Sequence, residues 1–159
     1  AIHTNDSQYM ERVNKLIETE AKKVRAVDRF VRVAKTVAWI ESRWEHYSKG
    51  SDGKIQILMG DENNSYGMFQ IHQRWHGKHP NLFDNVEYAV KMLSQIYRSV
   101  LNTNCSSSNS TNAGGSERAL LRRIYAGYNA GTDDACRNGD YRDERFVNFY
   151  YKAPWKDTF

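Results

Sequence analysis

The sequence lacks the patterns that identify several common classes of protein. No apolar run approaches the roughly 20 residues that a helix needs to cross a bilayer, so a membrane span is not expected. The chain has no Cys/His spacing of the zinc-site type, no glycine-rich loop of the phosphate-binding type and no serine nucleophile elbow. We therefore expect a function that needs neither a metal ion nor an organic cofactor.

Cysteine is also scarce. The chain has two cysteines, Cys105 and Cys136, on either side of a stretch that is rich in Ser, Asn, Thr and Gly. An even number of cysteines placed around such a stretch predicts one disulfide, and disulfides persist in oxidising compartments. Two reduced thiols are the alternative. The disulfide favours a secreted or periplasmic protein.

The charge pattern gives no sign of a nucleic-acid partner. The net charge is +4, but Lys and Arg alternate with acids, as in YRDERF at 141–146. A nucleic-acid surface would need clustered basic residues with stacking aromatics, whereas mixed charges are typical of solvated helix surfaces. A basic protein of this kind favours anionic surfaces only in general terms.

Length and composition indicate one soluble domain. The chain has 159 residues, of which 40% are hydrophobic and 26% are charged. This length lies within the usual range of single domains and allows a sizeable core. We expect one domain over residues 1–159, and we expect a monomer.

Apolar residues at helical spacing predict a mainly α-helical chain. An amphipathic helix is expected at about 7–25, and a second helix follows, which Asp28 can cap. Further helices are expected around 86–100, 120–128 and 143–151. Between 46 and 64 the helical pattern fails, and a short β-like run at 55–59 predicts a loop or small hairpin.

The apolar stripe of the second predicted helix ends in a carboxylate, Glu41. Its apolar neighbours and its place near the negative end of the helix dipole both favour a raised pKa. A carboxylic acid that keeps its proton near neutral pH acts as a general acid in glycoside cleavage. The alternative is a surface Glu at a helix end, paired with Arg43 or Arg12, and Glu45 is a competing acid.

Three short motifs occur in a fixed order along the chain: Glu41-Ser42, Gly67-Met68-Phe69-Gln70 and Tyr128-Asn129-Ala130-Gly131. This ordered set, which covers roughly 33–131, resembles the lysozyme-like superfamily of goose-type lysozymes and bacterial lytic transglycosylases. The resemblance implies a mainly α (α+β) lysozyme-like fold. In that fold a helical bundle carries a small loop or β-hairpin insertion beside the active-site groove.

The resemblance also implies roles for individual residues. Glu41 matches the catalytic acid, and Gln70 matches a residue that lines the groove near the scissile sugar. Tyr128 and Asn129 match the pair that supports the acid and the saccharide. We assign Ser65 to substrate binding as well.

A second carboxylate comes from the goose-type pattern. Gly60-Asp61 stands ahead of Gln70 at the spacing of that group's Gly-Asp, whose Asp is thought to position the attacking water. Goose-type enzymes carry another Asp two residues after the Gln, where this chain has His72. We assign His72 to the site, either hydrogen-bonded to sugar or filling the groove wall.

Each of these residues also has an ordinary structural interpretation. Asp61 in a stretch rich in Gly and Asn is typical of a turn, and Tyr128 on an apolar stripe is typical of a core residue. Gly131 is expected to end a helix in the left-handed conformation. Aromatic residues near the motifs are expected in the core or along the groove, where exposed rings can stack on sugars: Trp44, Tyr47, Tyr66, Phe69 and Trp75.

The function implied by the resemblance is cleavage of peptidoglycan. The expected reaction is hydrolysis of the β-1,4 bond between N-acetylmuramic acid and N-acetylglucosamine, with Glu41 as acid and Asp61 as the second carboxylate. If Asp61 acts as the base, its carboxyl group is expected at about 6.5–9.5 Å from that of Glu41. The alternatives are a lytic transglycosylase that uses the same Glu41, and a non-catalytic glycan-binding module.

Overall fold

The computed structural model describes residues 7–105, 116–131, 134–136 and 140–159. Within these ranges the chain is mainly α-helical with a small antiparallel β part, as the sequence predicts. The helices are α1 (Tyr9–Val24), α2 (Asp28–Ser42), α3 (Gln73–His76), α4 (Leu82–Leu101), α5 (Ser116–Ala130) and α6 (Tyr141–Lys152). The strands are β1 (Tyr47–Lys49), β2 (Ile55–Ile57), β3 (Met59–Gly60), β4 (Ser65–Tyr66) and β5 (Ile71–His72). No helix in the described ranges has both the length and the apolar character that a bilayer span requires.

Contacts between Cα atoms divide the chain into two compact units. The first unit contains Ala1–Lys91 together with Pro154–Phe159, and the second contains Met92–Ala153. The expectation of one domain over residues 1–159 stays a prediction.

In the first unit, α1 packs against α2 through the apolar stripes that the sequence predicts. The apolar residues that recur at the 3.6-residue helical period therefore lie on the side of each helix that faces the core. The fully buried residues are Val13, Ile17 and Ala21 on α1, and Phe30, Ala34, Val37 and Ala38 on α2.

The start of α2 corrects one prediction. The capping position is occupied by Val27 in an extended conformation, with no side-chain cap hydrogen bond, and Asp28 is the first residue of the helix itself. The carboxylate of Asp28 therefore stabilises the helix through its dipole, because negative charge is favourable in the first turn.

The end of α2 is a sharp reversal made by two left-handed residues, Arg43 (φ +54°) and Trp44 (φ +65°). The indole Nε1 of Trp44 donates to the carbonyl oxygen of Lys35 at 2.9 Å, and its ring stacks on Trp155 with 5.6 Å between centroids. The hydroxyl of Tyr9 donates to the carbonyl oxygen of Trp44 at 2.6 Å. Burial raises the pKa of Tyr9 to about 12, so this hydroxyl keeps its proton.

The β part lies between α2 and α3. Strands β1 and β2 form an antiparallel hairpin in which Tyr47 faces Ile57, which confirms the hairpin predicted around 55–59. Strands β3, β4 and β5 form a second antiparallel sheet that the sequence analysis did not predict. In its register, Gly60 faces Ser65, and Ser65 faces His72.

The second unit contains α5 and α6, which pack with the ring of Tyr125 stacked on Phe146 at 4.9 Å between centroids. The predicted disulfide between Cys105 and Cys136 is present, with 5.5 Å between the Cα atoms. Gly131 ends α5 with φ +62°, which confirms the left-handed helix end expected there. The polar stretch at 106–115 lies outside the described residues.

Candidate functional site

The turn 67–70, which carries Gln70, is fixed in part by a hydrogen bond to a buried histidine, His46. The backbone N–H of Met68 donates to Nδ1 of His46 at 2.9 Å. Since Nδ1 accepts, the proton of the neutral ring lies on Nε2, which donates to the carbonyl oxygen of Pro80 at 2.7 Å. His46 has no exposed surface, and burial lowers its pKa, so the ring stays neutral and in one tautomer.

A buried asparagine holds the same turn from another side. Oδ1 of Asn85 accepts the backbone N–H of Phe69 at 3.0 Å. The Nδ2 group of Asn85 donates to the carbonyl oxygens of Tyr66 and His79, each at 2.8 Å. Asn85 is fully buried, so its three hydrogen bonds replace those it would make with water. The turn is therefore fixed by specific polar contacts as well as by apolar packing.

Two glycines allow the backbone to approach these side chains. A Cβ on Gly67 would lie 2.1 Å from Cε1 of His46, and the residue has φ +66°. A Cβ on Gly60 would lie 2.1 Å from Oε1 of Gln70. Only glycine fits at either position without movement of the neighbour.

Ser42 connects the end of α2 to this turn. Its hydroxyl donates to the carbonyl oxygen of Met68 at 2.7 Å, and the carbonyl oxygen of Ala38 lies 3.1 Å away. Glu41 precedes Ser42 in the last turn of α2, and its side chain is half-buried. The competing acid, Glu45, is exposed. Glu41 is therefore the better placed of the two, because it is less exposed and directly precedes the residue that bonds to the turn.

Gln70 connects the turn to β3. It has φ +49°, and its Nε2 group donates to the carbonyl oxygen of Gly67 at 2.8 Å. The carbonyl end of its side chain packs on the backbone of Gly60, which directly precedes Asp61. The contacts from Ser42 through the turn to Gly60 therefore link the end of α2 with the segment that carries Asp61.

Asp61 begins a turn with unusual backbone geometry. Asp61, Glu62 and Asn63 all have positive φ, of 49°, 55° and 68°. Non-glycine residues rarely adopt this left-handed conformation, which costs roughly 1–2 kcal/mol per residue. The backbone N–H of Asn64 closes the turn on the carbonyl oxygens of Gly60 and Asp61, at 3.1 and 3.0 Å. The prediction of a turn at Asp61 is confirmed, and its type is left-handed.

The turn places the carboxylate of Asp61 against His72. Oδ2 of Asp61 and Nε2 of His72 are 2.9 Å apart, and the side chains are 63% and 24% exposed. Nδ1 of His72 accepts the backbone N–H of Arg74 at 3.2 Å, where α3 begins. Ser65 on β4 pairs with Gly60, which precedes Asp61, and with His72, and it is only 7% exposed.

The first unit therefore holds Glu41, Asp61, Ser65, Gln70 and His72. The other two predicted site residues, Tyr128 and Asn129, lie in the second unit near the end of α5. Tyr128 is half-buried and Asn129 is exposed. Their roles toward the acid and the saccharide stay predictions.

The aromatic residues near the motifs divide by exposure. Trp44 and Phe69 are fully buried in the core, and Tyr47 and Tyr66 are half-buried. Trp75 on α3 is 68% exposed, and the guanidinium of Arg74 lies 4.8 Å from the centre of its ring. Trp75 is therefore the aromatic residue of this set that can offer a ring face to a ligand.

Sequence reasoning missed the supporting residues His46, Asn85 and Tyr9. Each is a polar side chain with buried hydrogen bonds to backbone groups far along the chain. Their spacing to the motifs carries no signal, because the partners meet only in the folded chain.

Within the described residues, no group of three or more His, Cys, Asp or Glu side chains could hold a metal ion. No family model, curated protein or solved structure matches the chain.

Proposed function

We propose that the protein is a glycosidase that cleaves the β-1,4 bond between N-acetylmuramic acid and N-acetylglucosamine in peptidoglycan. The observation that carries the proposal is the Ser42–Met68 hydrogen bond of 2.7 Å. It fastens the helix end that bears Glu41 to the turn that bears Gln70, so the first two motifs of the lysozyme-like pattern belong to one connected structure. Gln70 in turn packs on Gly60, next to Asp61.

Glu41 acts as the general acid. As the glycosidic bond breaks, the carboxylic acid gives its proton to the leaving-group oxygen, and positive charge develops on the sugar ring. The position of Glu41 supports this role, because it lies in the last turn of α2 and directly precedes Ser42, which bonds to the turn that carries Gln70.

Asp61 supplies the second carboxylate. In hydrolysis with inversion, a water molecule attacks the anomeric carbon from the opposite face, and Asp61 accepts the proton of that water. The side chain of Asp61 is 63% exposed, so water reaches it directly. Cleavage then leaves a hydroxyl on each of the two new ends.

Transglycosylation on the same site is the second candidate. In that reaction the C6 hydroxyl of the muramic acid attacks its own anomeric carbon, and its proton returns to the carboxylate of Glu41. The product is a 1,6-anhydro end, and no water is consumed. The feature that favours this candidate is the missing second acid: goose-type lysozymes carry a further Asp at the position of His72, so Asp61 is the one carboxylate of that pattern left to hold a water.

The substrate and the location fit the properties of the chain. The net charge of +4 suits the anionic surface of a bacterial cell wall. The disulfide is compatible with secretion or with the periplasm. A monomer without a cofactor is sufficient for the acid chemistry proposed for Glu41.

The test is digestion of purified peptidoglycan by the wild type and by Glu41→Gln, with the masses of the products recorded. The wild type is expected to release muropeptides. The variant is expected to lose at least about 100-fold in rate, because glutamine cannot donate the proton. Equal thermal unfolding temperatures of the two proteins would show that the loss of rate comes from the missing proton donor and not from a loss of stability.

The result that would overturn the proposal is equal cleavage by both proteins, or none by the wild type. Retained binding to peptidoglycan in the absence of any cleavage would instead indicate a glycan-binding module.

A further inference from the structure

The Asp61–His72 pair joins two segments that the chain brings together across the sheet β3–β4–β5. Ser65 on the middle strand β4 pairs with Gly60 on β3 and with His72 on β5, and Asp61 directly follows Gly60. The left-handed turn at Asp61 sends the chain back toward His72, and Oδ2 and Nε2 meet at 2.9 Å.

The hydrogen bonds of His72 fix its tautomer. Nδ1 accepts the backbone N–H of Arg74, so in the neutral ring the proton lies on Nε2. Nε2 therefore donates to Oδ2 of Asp61. A neutral imidazole can serve in this role, since the bond needs only the one N–H.

This donor engages one oxygen of Asp61 and leaves the other as an acceptor. A carboxylate has two acceptor oxygens, and the side chain is 63% exposed. An exposed carboxylate without such a donor would sample several rotamers. The donor restricts those rotamers and gives the second oxygen a defined direction.

The backbone conformation of the turn also helps to fix the position of Asp61. Three consecutive non-glycine residues in the left-handed region hold an unfavourable conformation that surrounding contacts must maintain. The contacts are the closing hydrogen bonds of Asn64 and the side-chain bond from Nε2 of Gln73 to Oδ1 of Asn64 at 3.0 Å. Residues after the turn therefore support the position of Asp61.

We infer that His72 is a positioning residue that holds Asp61 so that its carboxylate orients the attacking water, and that the pair thereby directs cleavage toward hydrolysis rather than intramolecular transfer. This inference rests on the proposed glycosidase function. It assigns to this chain's histidine the task of orienting the carboxylate.

The two outcomes differ in the group that attacks the anomeric carbon. In hydrolysis the water forms the new C–O bond and gives its proton to Asp61, while the leaving-group oxygen keeps the proton from Glu41. In transfer the C6 hydroxyl forms that bond and gives its proton to the carboxylate of Glu41. Both reactions share the first proton transfer, so loss of the ordered water shifts the products without removing cleavage.

The experiment is digestion of peptidoglycan in water enriched in heavy oxygen, with the products analysed by mass spectrometry. Hydrolytic ends carry the heavy oxygen, whereas anhydro ends carry none. The wild type is expected to give mainly labelled ends. His72→Asn is expected to raise the ratio of anhydro to hydrolytic ends about tenfold, equivalent to about 1.4 kcal/mol.

The choice of variant separates positioning from helix capping. The side-chain oxygen of Asn can accept the N–H of Arg74 as Nδ1 of His72 does, but Asn has no atom at the position of Nε2. His72→Gln places an N–H donor at about the reach of Nε2 and is expected to keep most of the hydrolytic products. Asp61→Asn removes the proton acceptor and is expected to give the same shift as His72→Asn.

The results distinguish this inference from the proposed function. An unchanged product ratio in His72→Asn would overturn the inference, whatever Asp61→Asn gives, and so would a wild type that gives only anhydro ends. In either case cleavage that depends on Glu41 would still stand. Loss of the dependence on Glu41 would instead overturn the proposed function.

Discussion

The backbone of Gly67 lies directly against the imidazole ring of His46, so closely that a Cβ would come within 2.1 Å of Cε1. Because of this contact, the turn 67–70 packs directly against the buried side chain of His46. The same imidazole accepts the N–H of Met68. The position of Gln70 therefore depends on the absence of a side chain three residues earlier.

Gly67→Ala is expected to lower the free energy of unfolding by about 3 kcal/mol, because the new Cβ clashes with a buried ring and φ is positive. The control is Gly53→Ala, which has φ +80° and only the end of the Lys49 side chain nearby at 3.9 Å. That change is expected to cost about 1 kcal/mol. Chemical denaturation measures both, and equal losses would contradict the role of the His46 contact.

The hydroxyl of Ser42 is expected to matter more for activity than for stability. Ser42→Ala removes the bond to Met68, which contributes about 1 kcal/mol to stability. We expect a loss of about tenfold in kcat, because small displacements near reacting groups slow the chemical step. Peptidoglycan turnover by the purified variant measures the effect.

Thr36→Val is the matched control for Ser42→Ala. The hydroxyl of Thr36 also donates to a carbonyl oxygen one helical turn earlier, that of Arg32 at 2.7 Å, and in the described structure it is not hydrogen-bonded to the 67–70 turn. Its loss is expected to lower stability to a similar extent and to leave kcat unchanged. An equal drop in kcat for both variants would argue against a specific role of the Ser42–Met68 bond.

Burial of His46 predicts a stability that falls in acid. Its pKa is lowered from 6.5 in the folded protein, so the unfolded chain binds a proton first as the pH falls. The contribution of neutral His46 is complete above about pH 6.5 and is lost as the pH falls toward the folded pKa. His46→Gln cannot titrate and is expected to show a smaller loss between pH 7.5 and 5 in thermal unfolding.

Burial of Asp143, in the second unit, predicts the opposite dependence: a stability that falls as the pH rises. Asp143 is 1% exposed, its Oδ2 accepts no hydrogen bond from the described residues, and burial raises its pKa from 3.8 to about 6. The folded state therefore binds the proton more tightly than the unfolded chain does. Its contribution to stability is complete below about pH 4 and is lost as the pH rises through about 6.

Asp143→Asn is the test of this second trend. The amide has no charge to desolvate, so the variant is expected to be more stable than the wild type at pH 7.5, by up to about 3 kcal/mol. The difference is expected to shrink at pH 4. A gap that stays constant over this range would show that the ionisation of Asp143 does not set the stability.

Trp75 is expected to bind glycan through its exposed ring. In the Glu41→Gln background, which keeps the substrate intact, Trp75→Ala is expected to weaken binding to insoluble peptidoglycan several-fold. Stability is expected to remain the same, since the ring is 68% exposed. Phe83→Ala, at an exposed aromatic residue of the same unit, is the control and is expected to bind normally.

The sequence predicted the five longer helices well because each has a clear apolar stripe, whereas α3, with four residues and none of them buried, was not predicted. α1, α2 and α4 begin and end within a few residues of the expected bounds, and the hairpin around 55–59 is confirmed. The sheet of β3, β4 and β5 was missed because strands of two residues cannot show an alternating pattern. The cap assigned to Asp28 was wrong, since the helix begins one residue earlier than that role requires.

The residues of the candidate site stay predictions from the motifs, and the structure adds a geometry that local sequence does not indicate. The motifs drew attention to Glu41, Gln70 and Asp61, but local sequence gives no sign of the left-handed turn or of the contact with His72. Both depend on pairing between strands. The sequence also gives no sign of burial for His46, since a polar residue becomes stable in a core only after distant partners satisfy it.

The disulfide between Cys105 and Cys136 ties the end of α4 to the chain beyond α5, across a sequence separation of 31 residues. A cross-link of this span stabilises a folded chain by roughly 3–4 kcal/mol. Under reducing conditions the second unit would therefore be less resistant to unfolding, and it would gain its full resistance only once the two cysteines are oxidised. A protease that cut between the two cysteines would leave two polypeptides still held by one covalent bridge.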